Sequence, residues 1–318
     1  MPFHQQMRAE SARPHPLWRW ASLRNGIYIF GYHSIYDPGS AADWEHVYTK
    51  IATHIDHFAA HVDWLRRHMN LISQSEAMAL SAGQIRGDRY AVIHFDDAYT
   101  SLQRMTSAHD VRPTVFVNGD FALGKAVYYR VLAAVLVAEG HSDALRESLR
   151  GHKLPESGLD VFDALKNYYR AGVTEEAVKM AWAATDHAAE IPAAHLNVSQ
   201  LKSLADAGWE IGNHTSSHYN LADLSLAEHD AQIGDHQARL LDVGLPARTW
   251  LAYPNGLARH VGQHTAAWME QHSDYHGFFM GGAVNREVQR AQWRRIAVGD
   301  WSLQNFVKQV RRESAKWV

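Results

Sequence analysis

Short apolar segments alternate with helical patterns along most of the chain. The segments typical of buried β-strands are Ile27–Tyr32, Tyr90–Phe95, Thr114–Val117, Trp209–Ile211, Thr249–Tyr253 and Arg295–Val298. Between the first two, apolar residues recur at the spacings of three and four that mark one face of an amphipathic helix: Ile51, Ile55, Phe58, Val62 and Leu65. Because strand and helix alternate, the sequence predicts an α/β fold built on a parallel sheet or barrel.

One long segment departs from this alternation. From about residue 124 to 197 the apolar and aromatic residues are spaced as in helices, and no stretch there is typical of a strand. Two pairs of tyrosines lie in it, Tyr128 with Tyr129 and Tyr168 with Tyr169. We predict a single domain over residues 1–318, with an N-terminal arm at 1–25 and a helical insertion at about 124–197 that helps to select the substrate.

Composition and charge exclude several classes of protein. The 318 residues are 46% hydrophobic, and 31 basic against 34 acidic residues give a net charge of −3. This near-neutral balance gives no electrostatic support for binding nucleic acid, so no nucleic-acid partner is expected. The absence of cysteine excludes disulfides, thiolate zinc sites and cysteine nucleophiles.

Patterns typical of targeting signals and membrane spans are lacking in the sequence. The N-terminal segment lacks the apolar core of a signal peptide, and no later stretch approaches the roughly 18 apolar residues of a membrane span. We therefore expect a cytoplasmic protein without a transmembrane segment. The sequence is compatible with a homo-oligomer and does not identify an oligomeric state.

His214 and His218 are one pair of candidate metal ligands. The chain has 22 histidines, so only their spacing can nominate ligands. These two lie four residues apart just after the strand-like Trp209–Ile211, and on a helical turn that spacing brings both imidazoles to one ion. Two unrelated polar residues on a turn give the same pattern. His57 and His61 are such a pair, which we predict to lie on a helix surface.

Asp96 and Asp97 are the second candidate pair. They follow directly after the apolar segment Tyr90–Phe95, and strand C-terminal ends are where α/β barrels place their active sites. Adjacent carboxylates repel each other, and a divalent ion would relieve that repulsion by binding one and leaving the other free as a base. The alternative is helix capping, which accounts for one aspartate better than for two.

A turn-forming segment, Tyr253-Pro254-Asn255-Gly256, ends a third predicted strand. Pro, Asn and Gly together favour a tight turn. Such a turn at a strand end could direct backbone N–H groups into an active site, and it also occurs in ordinary loops. We take Tyr253, Pro254 and Asn255 as candidate substrate or oxyanion contacts.

Three motifs, in this order, resemble those of the polysaccharide deacetylase family, also called the NodB-homology or carbohydrate esterase family 4 group. The family's T-F-D-D, H-[ST]-x-x-H and R-x-P-x-G patterns correspond here to His94–Asp97, His214–His218 and Ala252–Gly256. The likeness covers about residues 27–123 and 197–300. It leaves out the predicted insertion.

The resemblance implies a fold and a set of roles. The fold would be a distorted (β/α) barrel of about seven strands, NodB-like, with the helical insertion outside the shared part. Asp96 would be the general base, and Asp97, His214 and His218 would bind one divalent metal ion. Zinc is the expected ion, and cobalt and nickel suit the same ligands. A backbone N–H near Asn255 would help to hold the oxyanion.

Two departures from the family pattern affect the assignment of roles. Ala252 stands where the third motif often has an arginine that orients the base, and we nominate Arg295 as its replacement. The late L-x-H motif, which normally supplies the general acid, has no histidine in the corresponding region here. His33, at the end of the first predicted strand, is our candidate for the acid.

The resemblance implies a metal-dependent carbohydrate de-N-acetylase. Its substrate would be an N-acetylated sugar, as a sugar nucleotide or a lipid-linked glycan, in surface polysaccharide biosynthesis. Two alternatives stay open from the sequence: hydrolysis of a non-sugar amide on the same fold, and a catalytically silent relative that only binds carbohydrate. The presence of both aspartates, Asp96 and Asp97, and of both histidines, His214 and His218, argues against the second alternative, because binding alone needs no free base beside a metal.

Overall fold

The computed structural model describes residues 22–39, 51–105, 111–152, 161, 165, 172–186 and 193–316. Its strands are β1 (Gly26–Tyr32), β2 (Ser34–Tyr36), β3 (Ala52–His54), β4 (Asn70–Leu71), β5 (Arg89–Phe95), β6 (Thr114–Val117), β7 (Glu210–Asn213), β8 (Ala247–Ala252), β9 (His276–Phe279) and β10 (Trp293–Ala297). Its α-helices are Ile55–His68, Gln74–Met78, Ala82–Gly87, Gly119–Ala122, Tyr129–Ala138, Ser142–Gly151, Val173–Ala183, Val198–Asp206, Leu226–His229, Asp235–Asp242, Gly262–Gln271 and Leu303–Ser314. No helix among the described residues is long and apolar enough to cross a membrane.

Seven strands close into a parallel barrel, which confirms the predicted fold. Neighbouring strands pair in the order β1-β10-β9-β8-β7-β6-β5, and β5 pairs back to β1 along its whole length. Every pairing in the barrel is parallel. The carboxyl ends of the strands therefore lie at one end of the barrel, where residues far apart in sequence can meet.

Both faces of the barrel wall are buried. Along β1, Ile27 and Ile29 belong to one apolar cluster, which includes Phe116 and Trp293. The alternate residues Tyr28, Phe30 and Tyr32 belong to another, which also contains residues of the surrounding helices Ile55–His68, Val198–Asp206 and Leu303–Ser314. This is the period-two alternation of a strand that is covered on both sides, and it explains why β1 is an almost continuous apolar run.

Helices occupy the described parts of the predicted insertion. Tyr129–Ala138, Ser142–Gly151 and Val173–Ala183 share an apolar cluster with Tyr128. Tyr168, Tyr169 and residues 1–21 of the predicted N-terminal arm lie outside the described residues. The extent of the insertion and the division into domains therefore stay predictions.

The prediction for His61 is wrong. Its side chain is fully buried, stacks on Phe306 with ring centroids 4.0 Å apart, and hydrogen-bonds through Nε2 to the carbonyl of Trp301 at 2.8 Å. The helix Leu303–Ser314 covers a side of Ile55–His68 that apolar spacing alone marks as solvent-facing. His57 is partly exposed, as expected, and contacts Asp300 through Nδ1 at 2.7 Å.

Candidate metal centre and active site

Two tight turns at strand ends bring the candidate residues together. After β5, Asp97 and Ala98 adopt left-handed backbone conformations with φ of 67° and 52°. After β7, Thr215 and His218 do the same, with φ of 65° and 59°. Left-handed conformations are uncommon for residues other than glycine and often occur at functional sites, where neighbouring contacts hold them in place.

The segment His214–His218 is a turn and not the helical turn that the spacing suggested. The side chain of Asn213 accepts a hydrogen bond from the Thr215 N–H at 2.8 Å, and the Thr215 hydroxyl accepts one from the His218 N–H at 3.1 Å. These short side-chain caps replace the helical hydrogen bonds, as Asn and Thr commonly do near strand ends. The turn still directs both imidazoles to the same point.

Asp97, His214 and His218 form a compact group with the ligand set of a divalent metal. Their ligand atoms lie within 4.8 Å of one another, and all three side chains are buried. The Oδ1 of Asp97 is 3.4 Å from Nε2 of His214 and 3.5 Å from Nε2 of His218. Among the residues that the structure describes, this is the group of His and acidic side chains that could hold a metal ion.

The hydrogen bond on the far side of His214 tests whether this group fits a metal. Its Nδ1 lies 2.8 Å from the carbonyl oxygen of Ala252, on β8. A carbonyl can only accept, so Nδ1 carries the proton and, in the neutral ring, Nε2 turns a lone pair toward Asp97. Metal-binding histidines are typically oriented in this way. The donor set therefore fits a divalent cation, and zinc in particular.

The electrostatics of Asp97 and His218 favour the protonation states that ligands need, whereas the pKa of His214 is raised because Asp96 and Asp97 outweigh the effect of its burial. Burial raises the pKa of Asp97, but the neighbouring His218 and His214 hold it well below its usual range. Burial lowers the pKa of His218 to about 3. An ionised carboxylate and a neutral imidazole are the forms that bind metals.

Asp96 is held apart from this group by an arginine from another strand. Arg295, on β10, donates from Nη1 to Oδ1 of Asp96 at 2.7 Å and from Nη2 to Oδ2 at 3.0 Å. Both side chains are buried. Burial raises the pKa of Asp96, but Arg295, His214 and His33 hold it at about 2. The carboxylate is thus ionised and fixed, with Oδ2 3.9 Å from Nε2 of His214.

A cavity of about 300 Å³ opens over these residues. His33, Asp96, Asp97, His214 and His218 line it together with Ile51, Tyr128, Arg130, Asn255, Leu257, Met280 and Trp301. His33 follows β1, and burial lowers the pKa of its imidazole, although Asp96 and Asp97 oppose that shift. The volume is at the small end of the usual range for ligand pockets.

Only one of the three candidate residues in the turn after β8 lines the cavity. Asn255 does so, with a left-handed φ of 57°. Tyr253 is buried elsewhere: its hydroxyl donates to the carbonyl of Ala291 at 3.1 Å, and its N–H pairs with the carbonyl of Phe278. Pro254 is also buried outside the cavity lining. The assignment of Tyr253 and Pro254 as substrate or oxyanion contacts stays a prediction, which the cavity lining does not support.

Sequence reasoning missed several residues of the cavity. Arg130 and Trp301 had no assigned role, although Trp301 lies in the region where the family's late histidine motif would fall. Tyr128 is named from the sequence only as one of the paired tyrosines of the predicted insertion. The turn before helix Tyr129–Ala138 brings Tyr128 and Arg130 to the site, and no local motif announces that placement.

Comparison with known proteins agrees with the arrangement of the site. Residues 162–272 match the family described as polysaccharide deacetylase. The matched segment contains His214, His218 and the turn at Asn255, and it begins after Asp96 and Asp97. The predicted resemblance to the polysaccharide deacetylase family is confirmed. The match supports a hydrolase of the deacetylase class.

Solved structures of deacetylases share the fold. The deacetylase PplD of Streptococcus pyogenes, solved in complex with acetate, is 15% identical with a TM-score of 0.56, over 90% of this chain and 98% of its own. IcaB from Ammonifex degensii is 16% identical with a TM-score of 0.54, over 92% and 100%. A de-N-acetylase from Aggregatibacter actinomycetemcomitans is 11% identical with a TM-score of 0.54, over 89% and 99%. A comparison with curated protein sequences gave no match.

Proposed function

We propose that the protein is a metal-dependent de-N-acetylase that hydrolyses the acetamido group of an amino sugar. The observation that carries the proposal is the division of labour between adjacent aspartates. Asp97 faces two imidazoles that are arranged as metal ligands, while Asp96 is fixed by Arg295 and borders the same cavity. A ligand set with a separate, ionised carboxylate beside it is what metal-assisted hydrolysis requires.

Asp97, His214 and His218 would hold the ion, with zinc favoured and cobalt or nickel as alternatives. When bound, such an ion supplies a Lewis acid that polarises a carbonyl and lowers the pKa of water. The remaining cavity residues then have distinct tasks.

Asp96 accepts the proton of the water that attacks the acetyl carbon, and Arg295 keeps its carboxylate in one orientation. The backbone N–H of Asn255 is the candidate donor to the developing oxyanion. The C–N bond then breaks, and the amine nitrogen takes a proton. Because burial keeps the His33 imidazole neutral, His33 is the candidate to relay to the amine the proton that Asp96 accepted. The products are acetate and a free amino sugar.

The substrate class is the finer part of the proposal. The cavity has room for an acetamido group and the sugar ring that carries it. We propose a sugar nucleotide or a lipid-linked glycan as the carrier of that unit, in the biosynthesis of a surface polysaccharide. A cytoplasmic location goes with this proposal and stays a prediction.

Acetate release tests the proposed function. Purified protein would be treated with a chelator, reloaded with zinc, cobalt or nickel, and assayed on N-acetylated sugar nucleotides, N-acetylated oligosaccharides and non-sugar acetamides. We expect release from a sugar that depends on added metal and is absent in Asp96→Asn. If acetate were released only from the non-sugar acetamides, the substrate would be an amide other than an amino sugar. If the protein bound the sugars without releasing acetate, it would be a catalytically silent relative.

A further inference from the structure

Tyr128 contacts one of the proposed metal ligands from outside the barrel. It directly precedes helix Tyr129–Ala138, and its side chain is buried. Its hydroxyl lies 3.1 Å from Nδ1 of His218, and the two rings are 5.1 Å apart between centroids. From the geometry we infer that Tyr128 is a positioning residue that orients His218 for metal binding. This inference rests on the proposed function.

The two histidines of the site are oriented by different parts of the chain. Nδ1 of His214 donates to a backbone carbonyl of β8, so the barrel itself fixes that ring. Nε2 of His218 faces Asp97 at 3.5 Å. If Nε2 carries the lone pair that binds metal, the proton of the neutral ring lies on Nδ1 and is donated to the Tyr128 hydroxyl oxygen.

The hydroxyl of Tyr128 is itself held by a neighbour. A hydrogen bond joins it to the hydroxyl of Tyr129. If the Tyr128 oxygen accepts from Nδ1 of His218, the Tyr128 hydroxyl can donate its own proton to Tyr129. The Tyr128 hydroxyl thus lies between His218 and Tyr129, where it can hold the His218 ring in the orientation that directs Nε2 to Asp97.

Packing restricts the Tyr128 ring to one place. It stacks on Phe121 at 5.1 Å with an interplanar angle of 29°, and it meets Tyr129 edge-on at 5.0 Å and 82°. Tyr128 and Tyr129 both belong to the apolar cluster formed by helices Tyr129–Ala138, Ser142–Gly151 and Val173–Ala183. The helical segment thus contributes to the metal site, because Tyr128 contacts the proposed ligand His218. This contribution is separate from the predicted role of the insertion in selecting the substrate.

The test is the zinc affinity of Tyr128→Phe, which removes the hydroxyl and keeps the ring. The full chain would be stripped with a chelator, and the zinc dissociation constant measured by competition with a chromophoric chelator. Loss of such a partner typically weakens metal binding by about 10- to 100-fold, and we expect a loss in that range. The visible absorption bands of the cobalt-loaded protein should also shift, because His218 is no longer held in one orientation.

Tyr28→Phe is the matched control. Tyr28 is also buried and loses a hydroxyl that bonds to the carbonyl of Arg24 at 2.7 Å and lies 2.8 Å from the Ser314 hydroxyl, away from the cavity. We expect it to lower the melting temperature without changing zinc affinity or the cobalt spectrum. Zinc affinity and cobalt bands in Tyr128→Phe equal to those of the wild type would overturn this inference alone. A wild-type protein that binds no divalent metal would overturn the proposed function together with it.

Discussion

Arg295 and Asp96 form a buried, two-pronged ion pair although 199 residues separate them in the chain. The pair crosses from β10 to the end of β5, and β1 lies between those two strands in the barrel. In the third motif of this chain, the position that often carries an orienting arginine is Ala252. In this barrel a guanidinium from a different strand, β10, therefore donates the two parallel hydrogen bonds to the base. An arginine on either strand can reach Asp96, because the carboxyl ends of all the strands converge on one site.

Replacing Arg295 with lysine should show whether Asp96 needs only a nearby positive charge or also the fixed orientation that the two hydrogen bonds give it. Lysine keeps a positive charge but cannot donate two parallel hydrogen bonds to one carboxylate. We expect kcat/KM for acetate release to fall by roughly 100-fold, the loss that a displacement of about 1 Å in a reacting group can cause, with the bound metal retained. Steady-state kinetics and elemental analysis measure the two effects. Arg294→Lys, on the same strand but with its guanidinium over the Phe279 ring, is the control, and an equal loss there would refute the assignment.

Substitutions of the two adjacent aspartates should differ in their effect on metal content. We expect Asp97→Ala and His214→Ala to lose the metal, because each removes one of three ligands. Asp96→Asn should keep the metal and lose turnover, because the amide cannot accept the proton. Metal content by elemental analysis, with acetate release on the same samples, checks both. Equal metal loss in all three variants would show that base and ligand are wrongly assigned.

The buried His61 should make the fold sensitive to acid. Burial, with a smaller contribution from His57, lowers the pKa of His61 from 6.5 to about 4, although the Trp301 carbonyl and Asp300 oppose the shift. The unfolded chain therefore binds a proton at this residue between pH 6.5 and about 4, and the folded chain does not. The free energy of unfolding should decrease as the pH falls through that window, by up to about 3 kcal/mol from this group, and level off below it.

His61→Gln removes this titration while leaving a side chain that can hydrogen-bond. The variant should be less stable at neutral pH, since it loses the stacking on Phe306, but its stability should change less with pH. Urea unfolding at several pH values between 4 and 7 measures the difference. His264→Gln, an exposed histidine on helix Gly262–Gln271, should follow the wild-type curve. Parallel curves for His61→Gln and the wild type would contradict the prediction.

Local sequence patterns predicted the barrel and the strand ends that carry the site. They failed for residues whose surroundings depend on a helix or strand that is distant in the sequence. Strand β9, with the sequence His-Gly-Phe-Phe, was not predicted because it is short and contains a glycine. His61 was misplaced because the helix that covers it comes more than 200 residues later. Spacing does not show in which direction a side chain points after a strand end, so the bond of the Tyr253 hydroxyl to the Ala291 carbonyl, away from the cavity, could not be predicted.

Arg295, in contrast, could be predicted from the sequence, because the chain departs from the family motif at position 252. Because Ala252 stands where the family often has an arginine, another arginine is expected to orient the base, and Arg295 does contact Asp96. The role of Tyr128 could not have been found in this way. Its contact with His218 depends on how a helical segment packs against the barrel, and no sequence pattern encodes that packing.

Arg130 should select for a negatively charged group on the substrate. It lies in the first turn of helix Tyr129–Ala138 and lines the cavity beside His218, whose pKa it helps to lower. A sugar nucleotide or a lipid-linked sugar carries phosphate, and a guanidinium is well suited to bind it. We expect Arg130→Gln to raise KM for an N-acetylated sugar nucleotide by about 10-fold or more, the loss of one charge-assisted hydrogen bond.

The comparison that decides this prediction is between two substrates. KM for a neutral N-acetylated oligosaccharide should change little in Arg130→Gln, and kcat should be kept on both substrates, because Arg130 has no part in the proposed chemistry. Arg112→Gln removes the same charge from an exposed ion pair with Glu76 outside the cavity lining and should leave both KM values unchanged. A similar rise in KM for the charged and the neutral substrate would show that Arg130 only shapes the cavity, and that the proposed phosphate contact does not exist.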